Sequence, residues 1–287
     1  MQKKQIGFID FHLDEWHANN YPAWFRTAAR ADEFELGYAW EESPATKENA
    51  LPQAEWCKKF DMKSASSIEE VIEKSDCICV LAPSNPEVHA RLAKLPLQSG
   101  KPLYIDKTFA PDKKTAEGFF AEARAHGTPL MSSSALRYGT ELQAILQNKD
   151  FSRARFVMTI GGGRSFQEYS IHQIEMAVAA LGTGAKCVYR TTTGSMPHYV
   201  IEYADGIRSA LLTYDRHSDF VVILESDDRA PDVIASSSRT FQNLIDAMLD
   251  FFATGKSPIP AEETIEIAAI RAAAIQAENA PGQIFTV

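Results

Sequence analysis

The sequence has few cysteines, no excess of positive charge and no long apolar run. Its four cysteines, Cys57, Cys77, Cys79 and Cys187, form no Cys/His cluster with zinc spacing, so we interpret them as buried thiols in a reducing cytoplasm. Acidic residues outnumber basic ones by 38 to 29, which leaves a net charge of −9 and no basic surface for nucleic acid or anionic membranes. The start, MQKKQIGFID, lacks the apolar run of a signal peptide, and no stretch approaches the length of a membrane span. These absences predict a cytoplasmic protein without a nucleic-acid or membrane partner.

The first half of the chain alternates predicted strands with predicted helices. Residues 5–9, 34–40 and 76–82 have the apolar patterns of strands. The last of these, DCICVLA, is continuously apolar, which is typical of a parallel strand covered on both faces. Helical patterns lie between the strands. The alternation predicts a Rossmann-like, doubly wound parallel sheet over residues 1–133.

The turn after the first predicted strand contains no glycine. Dinucleotide-binding folds have G-x-G-x-x-G at this turn, because the glycines make the turn tight and let the backbone approach the pyrophosphate. This sequence has Asp10, His12 and Glu15 at the three positions. Like charges about 4 Å apart cost on the order of 4 kcal/mol, or about three decades of affinity, so we expect no conventional pyrophosphate site.

Two further interpretations of this acidic turn stay open. A protonated His12 and the exposed N terminus of the following helix would partly offset the acids and leave a shifted, weaker nucleotide site. Alternatively, the turn would bind a metal ion through its carboxylates and imidazoles, which are Asp10, His12, Asp14, Glu15 and His17. Their spacing fits no standard metal-binding motif, so we predict no metal site.

The segment at residues 100–110, GKPLYIDKTFA, places two charges directly after a short strand. Leu103, Tyr104 and Ile105 are strand formers, whereas Asp106 and Lys107 are costly to bury and belong at the carboxyl end of the strand. Ligands of open α/β sheets bind outside the carboxyl ends of the strands, so Lys107 is a candidate ligand-binding residue. The alternative is a surface lysine in a strand-to-helix loop.

The second half combines an amphipathic helix with several strand patterns. In EYSIHQIEMAVAALG, residues 168–182, apolar side chains recur at helical spacing, and His172 shares a face with Glu168 and Glu175. His172 is therefore a candidate catalytic residue, the alternative being a solvated helix face. Four or five strand patterns joined by short turns follow from Lys186 onward. They predict an α+β domain over residues 134–287, with a mostly antiparallel sheet covered by helices.

These segments resemble the Gfo/Idh/MocA family of nicotinamide-dependent sugar and polyol dehydrogenases. GKPLYIDKTFA is similar to the family's glycine-lysine, strand, Glu-Lys-Pro segment, whose lysine matches Lys107; Asp106 stands in place of Glu and Thr108 in place of Pro. EYSIHQIE matches the family's Asp-x-Gly-x-His-x-x-Asp, and His172 takes the place of its catalytic histidine. Arg137, in ALRYG, resembles the arginine that opens the family's second domain. The resemblance covers nearly the whole chain in order.

The resemblance implies the roles of several residues. Lys107 and His172 would be catalytic and converge on one cleft. Glu168 or Glu175 would orient the histidine. Lys107, Arg137 and His172 would bind the substrate. The last helical pattern is similar to the family's closing helix, which returns to the first domain.

The resemblance also implies a nicotinamide cofactor. PSNPEVH, residues 83–89, is similar to the family's Pro-Asn turn with its following histidine. A glutamate at the end of the second strand favours a ribose hydroxyl over a 2′-phosphate, which points to NAD. The predicted cofactor-binding residues lie in the turns after the strands: Asp10, Phe11, His12, Leu13, Glu41, Pro83, Ser84, Asn85, His89, Asp106 and Lys107.

The leading interpretation is an oxidoreductase that acts on a secondary hydroxyl of a sugar, polyol or related small molecule. The missing glycines keep two alternatives open: a ligand-binding or partner subunit without redox chemistry, and a lyase or epimerase that uses the same Lys/His pair. An open sheet face in the second domain would commonly be covered by a second copy of the chain, so we expect a homo-oligomer.

Overall fold

The structure is a computed structural model that describes residues 2–148, 151, 154–191, 197–206, 208–214, 216–227 and 229–287. The chain divides into two compact units, Met1–Ser133 with Leu244–Pro260, and Ser134–Asn243 with Ala261–Val287. The first unit thus takes a segment from a part of the chain where the sequence predicts one continuous second domain.

The first unit is built on a parallel sheet whose strands are connected by helices. Its strands are β1 (Lys4–Asp10), β2 (Phe34–Glu41), β3 (Lys63–Ser64), β4 (Cys77–Val80), β5 (Leu103–Ile105) and β6 (Leu130–Met131). The helices between them are α1 (Trp16–Thr27), α2 (Gln53–Phe60), α3 (Ile68–Lys74), α4 (Pro86–Leu92) and α5 (Lys113–Ala125), with a 3₁₀ turn at Pro96–Gln98. The strands pair in the order β3-β2-β1-β4-β5-β6, and these pairings are parallel. The order confirms the predicted Rossmann-like sheet.

Local sequence features explain these elements. Strand β4 is buried at each of its positions, as its continuous apolar pattern predicts. Helix α3 begins after Ser67, whose hydroxyl accepts a hydrogen bond from the Glu70 amide at 3.3 Å and so caps the helix. Gly7 lies in β1 where a Cβ atom would be 2.3 Å from the Ser75 hydroxyl oxygen. Glycine at this position therefore allows β1 to lie close to the end of α3.

The second unit is a mixed sheet packed against helices. The helices after residue 134 are α6 (Thr140–Leu146), α7 (Phe166–Leu181), α8 (Thr240–Thr254) and α9 (Ala261–Asn279), preceded by a 3₁₀ turn at Ala135–Tyr138. The strands are β7 (Phe156–Gly162), β8 (Ala185–Arg190), β9 (His198–Tyr203), β10 (Arg208–Tyr214), β11 (Ser218–Glu225), β12 (Asp232–Ile234) and β13 (Ile284–Thr286). They pair in the order β12-β11-β7-β10-β9-β8-β13. Strands β7 and β10 pair parallel and the other pairings of the described residues are antiparallel, which confirms the predicted mostly antiparallel sheet.

Helix α7 is the central helix of the second unit. Its predicted apolar face is buried, and this face comprises Ile171, Ile174, Val178 and Leu181. It packs against β7, β10 and helix α9. The helix is thereby fixed along its length, which positions the polar residues on its remaining surface.

Helix α8 belongs for most of its length to the first unit. The ring of Phe252 lies 6.4 Å from the ring of Phe34 at the start of β2. The carboxylate of Asp246 accepts a hydrogen bond from the Ala29 amide at 2.8 Å. Of the helices in the described ranges, none combines the length and the apolar character needed to cross a membrane.

Candidate functional site

The carboxyl end of β5 places Asp106 in a buried polar network. The strand itself is fully buried, so the chain leaves the sheet at Asp106. The Asp106 carboxylate accepts hydrogen bonds from the Lys107 amide at 2.8 Å and the Tyr104 hydroxyl at 3.0 Å, and it pairs with the imidazole of His17. Burial alone would raise the pKa of Asp106, but the charges and hydrogen bonds of His17 and Lys107 outweigh burial and lower it. Asp106 is therefore an ionised anchor for the start of the loop.

Lys107 is held beside the turn after β4. Its ammonium group donates to the Pro83 carbonyl at 3.2 Å, and the Thr108 amide donates to the same carbonyl, also at 3.2 Å. The peptide bond between Lys107 and Thr108 is cis. Two segments identified separately in the sequence, GKPLYIDKTFA and PSNPEVH, are thus adjacent in the structure.

The buried side chain of His89 contacts the backbone within the first of these segments and just before the second. Its ring is fully buried, with Nδ1 3.0 Å from the Phe109 carbonyl oxygen and Nε2 2.5 Å from the Leu81 carbonyl oxygen. Both ring nitrogens therefore face backbone oxygens of the loops that carry Pro83 and Lys107. Of the neighbouring predicted residues, Ser84 is exposed and Asn85 is half-buried at the start of α4. His89 supports the shape of this strand edge, and Ser84 and Asn85 are the members of the turn that a ligand can reach.

The turn after β1 is held together by acidic side chains. One carboxylate oxygen of Asp10 accepts from the Ala82 amide at 3.0 Å and from the His12 amide at 3.3 Å. The Leu13 amide donates to Glu41 at 2.9 Å, and His12 Nδ1 lies 2.7 Å from the Ser43 carbonyl oxygen. Backbone amides of this turn, which approach phosphate in dinucleotide-binding folds, are thus bonded to carboxylates of the same chain.

Asp10 is fully buried, and its second carboxylate oxygen has no hydrogen-bond partner among the described residues. Burial, with a smaller contribution from the charge of Glu15, raises the pKa of Asp10 well above its usual range. From the sequence alone, Asp10 is expected to be a negative charge beside the phosphate position. Burial also raises the pKa of Glu15, against the lowering effects of the His17 charge and of the Ala18 and His17 amides, so burial weakens the acidity of both side chains at this turn.

The Asp10 carboxyl gives the first prediction. The folded state keeps a proton on Asp10 that the unfolded state loses above the ordinary carboxyl pKa, so the contribution of Asp10 to stability falls as pH rises toward its folded pKa. In Asp10→Asn the titration is absent. We expect the free energy of unfolding of this variant, relative to the wild type, to increase with pH by at most about 1.4 kcal/mol per pH unit.

Urea unfolding between pH 5 and 8 checks this prediction through tryptophan emission, because the four tryptophans lie in the first unit. Asp112→Asn is the matched control, since Asp112 is an exposed aspartate at the start of α5. Parallel pH curves for wild type and Asp10→Asn would contradict the assignment.

In the second unit, His172 lies on α7 with a hydroxyl partner and aromatic neighbours. Its Nδ1 is 2.7 Å from the hydroxyl oxygen of Ser134, which is fully buried. The rings of Tyr169 and Phe220 lie 5.8 and 5.5 Å from the imidazole ring, both edge-on. His172 itself is half-buried. The hydrogen bond with Ser134 therefore orients the ring, and His172 stays partly exposed.

The carboxylates flanking His172 have arginine partners. Glu175, which is buried, accepts from Arg137 Nε at 2.8 Å, and Arg137 also binds Glu263 on α9 at 2.7 Å. Burial would lower the pKa of Arg137, but the two carboxylates outweigh it and raise the pKa. Glu168 pairs with Arg164. The partner that holds the His172 ring through Nδ1 is Ser134, which no sequence motif singles out; nothing in the spacing of the serines at 132–134 distinguishes it.

The second unit also contains a cavity of about 520 Å³. Its lining includes Arg190, Tyr199, Tyr214 and Arg216, together with residues 165–167 at the start of α7. The Nε atom of Arg190 is buried and has no hydrogen-bond partner in the described part of the chain. The volume is in the range of small-molecule sites, and the lining suits a polar ligand. The described residues contain no group of three or more His, Cys, Asp or Glu side chains placed to hold a metal ion.

The fold is the one that the resemblance implies, and the solved structures that share it include a myo-inositol and a scyllo-inositol dehydrogenase. No protein-family model matches the sequence, and no curated protein matches it. The likeness is therefore one of structure, at low sequence identity.

Three solved structures illustrate the likeness. GenD2 from gentamicin A biosynthesis, solved with NAD, has a TM-score of 0.79 at 10% identity, over 100% of this chain and 97% of its own. Myo-inositol 2-dehydrogenase from Lactobacillus plantarum has a TM-score of 0.78 at 15% identity, over 100% of both chains. Biliverdin reductase from Synechocystis sp. PCC 6803, solved with biliverdin and NADP+, has a TM-score of 0.67 at 17% identity, over 97% of this chain and 99% of its own. The TM-scores and coverages establish the fold. At these low identities the activity has to be argued from the residues of the site.

Proposed function

We propose that the protein is an oxidoreductase that transfers a hydride between a secondary hydroxyl of a sugar, polyol or related compound and a nicotinamide cofactor. The observation that carries the proposal is that hydrogen bonds hold two side chains suited to this reaction, Lys107 and His172, in fixed positions. Lys107 is a buried cation fixed at the end of β5, and His172 is a half-buried imidazole fixed by Ser134. The inositol dehydrogenase and GenD2 share the fold that carries these groups.

His172 is the proposed base. When Nδ1 carries the proton and donates to Ser134, Nε2 is left unprotonated and is able to accept the proton of the substrate hydroxyl. The proposed role of Lys107 is to donate a hydrogen bond to the same substrate oxygen and stabilise its developing negative charge. A bound nicotinamide would supply the hydride acceptor for the substrate carbon. The hydroxyl proton and the hydride are thus both accounted for, and the carbonyl product is released.

We propose NAD rather than NADP as the cofactor. Glu41 and Glu42 lie at and just after the end of β2, where the fold receives the adenosine ribose. Glu42 is ion-paired with Arg91, which lowers the pKa of Glu42, so its charge is retained and the arginine is engaged. A 2′-phosphate would meet acidic charge at this strand end, whereas a ribose hydroxyl would meet acceptors.

The proposal is tested by cofactor binding and turnover, with Lys107→Met as the informative variant. NADH titration followed by tryptophan emission measures binding, and absorbance at the nicotinamide band measures oxidation of a panel of polyols and sugars by NAD. Loss of one hydrogen bond from a charged group is expected to lower kcat/KM by about 10- to 100-fold. Lys114→Met, an exposed change on α5, should leave kcat/KM unaltered. Absence of both NADH binding and turnover in the wild type would refute the proposal.

The turn after β1 favours a second candidate. Its amides are bonded to Asp10 and Glu41, which leaves them less available to a dinucleotide. The second candidate is therefore a ligand-binding subunit without redox chemistry, or a lyase or epimerase that uses the same Lys/His pair. Two measurements separate these activities from a dehydrogenase. They are mass spectrometry of the denatured protein for copurified dinucleotide, and exchange of substrate hydrogen in heavy water without net NADH formation.

The proposal also includes a cytoplasmic location and homo-oligomerisation through the sheet of the second unit. Light scattering measures the oligomeric state.

A further inference from the structure

We propose that Glu15 is an internal competitor of the dinucleotide phosphates, because its carboxylate occupies the N terminus of α1, where this fold receives a pyrophosphate. A dinucleotide then binds the first unit only when Glu15 is displaced. The inference rests on the proposed function for its cofactor, but the contact on which it depends lies entirely within this chain.

The contact uses both oxygens of the Glu15 side chain. One accepts a hydrogen bond from the His17 amide at 2.8 Å, and the other accepts from the Ala18 amide. The first amides of a helix have no partner within the helix, and these are the donors that bind phosphate at the turn after the first strand of a dinucleotide-binding fold. In this chain a carboxylate binds them. Helix α1 has 12 residues, so its amides sum to an appreciable positive end that favours an anion there.

The surroundings hold the Glu15 carboxylate in place. His17, whose amide binds Glu15, pairs through its ring with Asp106, so the first turn of α1 is joined to the end of β5. The Asn19 amide donates to the Glu15 carbonyl at 2.9 Å, which is the first regular bond of the helix. Nearby amides of the preceding turn are also engaged, His12 with Asp10 and Leu13 with Glu41. An arriving phosphate therefore meets the acidic side chain of Glu15 and amides that already have acceptors.

Glu15 also has a purely structural interpretation, in which it caps a helix as acidic residues commonly do. Asp112 does this at α5, where its carboxylate accepts from the Thr115 amide at 2.8 Å. The two interpretations predict different effects of replacing Glu15. If Glu15 only caps α1, its replacement changes unfolding and leaves anion affinity unaltered. If Glu15 is a competitor, its replacement releases an anion site.

The experiment compares Glu15→Ser with Asp112→Ser by calorimetric titration with inorganic pyrophosphate. Both substitutions remove one acidic charge and leave a hydroxyl that is able to cap the helix. We expect Glu15→Ser to bind pyrophosphate about tenfold more tightly than the wild type, or more, because a like charge is lost and a hydroxyl that caps one amide leaves the other available to the anion. Asp112→Ser should match the wild type. The emission of Trp16, which is exposed next to Glu15, should respond to pyrophosphate in Glu15→Ser.

Equal pyrophosphate affinity in the wild type and Glu15→Ser would overturn the inference. Glu15→Asn, which also caps well and lacks the charge, is the second variant if the serine protein does not fold, and it should show the same gain. NADH titration of the same proteins separates the two proposals. A gain for pyrophosphate with no NADH binding in any variant refutes the cofactor and supports the role of Glu15. NADH binding that is equal in all variants, with no gain for pyrophosphate, supports the cofactor and refutes the role of Glu15.

Discussion

Replacing His172 with glutamine is expected to lower kcat by about 10²- to 10⁴-fold, which is the usual contribution of a positioned acid or base. Glutamine retains a hydrogen-bonding side chain of similar length but is unable to accept the proton of the substrate hydroxyl. The KM of the substrate should change much less than kcat, because the proton moves only in the transition state. Steady-state kinetics with the best substrate of the polyol and sugar panel measures both constants.

A pH profile strengthens this test. The loss of kcat toward acidic pH in the wild type, where a base is protonated, should be absent from His172→Gln. His126→Gln is the matched control, because His126 is exposed at the end of α5 beside Glu122. A His172→Gln protein that keeps the kcat and the pH profile of the wild type would show that His172 is not the base.

Removing the arginine of the buried ion pair in the second unit should have the largest effect on stability. Arg137 joins Glu175 on α7 to Glu263 on α9, and Arg137→Met leaves the Glu175 carboxylate buried without its cation. Breaking a buried pair from one side costs about 3–5 kcal/mol, because the remaining charge has lost its solvation and its partner. We expect the free energy of unfolding in urea, followed by circular dichroism, to fall by this amount.

Two comparisons make the stability test specific. Arg155→Met breaks the exposed pair with Asp227 and should cost at most about 1 kcal/mol, since solvent screens such pairs. Arg137→Met combined with Glu175→Met removes the stranded charge, and its stability should lie above that of Arg137→Met alone. If Arg137→Met were no more damaging than Arg155→Met, the pair would have no structural role, and the substrate-binding role predicted for Arg137 would become the better explanation.

The sequence predicted the two sheets because their signals are local. Continuous apolar runs such as β4 and helical spacing such as that of α7 are read within a few residues. The charges after β5 are likewise visible as a break in an apolar pattern. The roles of Lys107 and His172 stay predictions that the kinetic experiments decide.

The contacts that define the site were not predictable from local pattern. Ser134 binds His172 across 38 residues, and Arg137 binds Glu263 across 126 residues, so only the folded chain identifies the partners. Glu15 stood out in the sequence as a charge in place of glycine, whereas the structure gives it the specific task of binding two amides. Burial changed the meaning of Asp10 in the same way, since its pKa is raised by burial in the folded chain and, to a smaller extent, by the charge of Glu15.

The position of α8 has a consequence for the order in which the protein is made. The helix packs its Phe252 near Phe34 and binds Ala29 through Asp246, yet it comes after more than one hundred residues of the second unit in the chain. A ribosome that has released only residues 1–133 has therefore not supplied the helix that covers this part of the first unit. Phe34 of the nascent first half therefore stays uncovered until synthesis has passed residue 260. A truncated gene product that lacks α8 would retain that apolar surface.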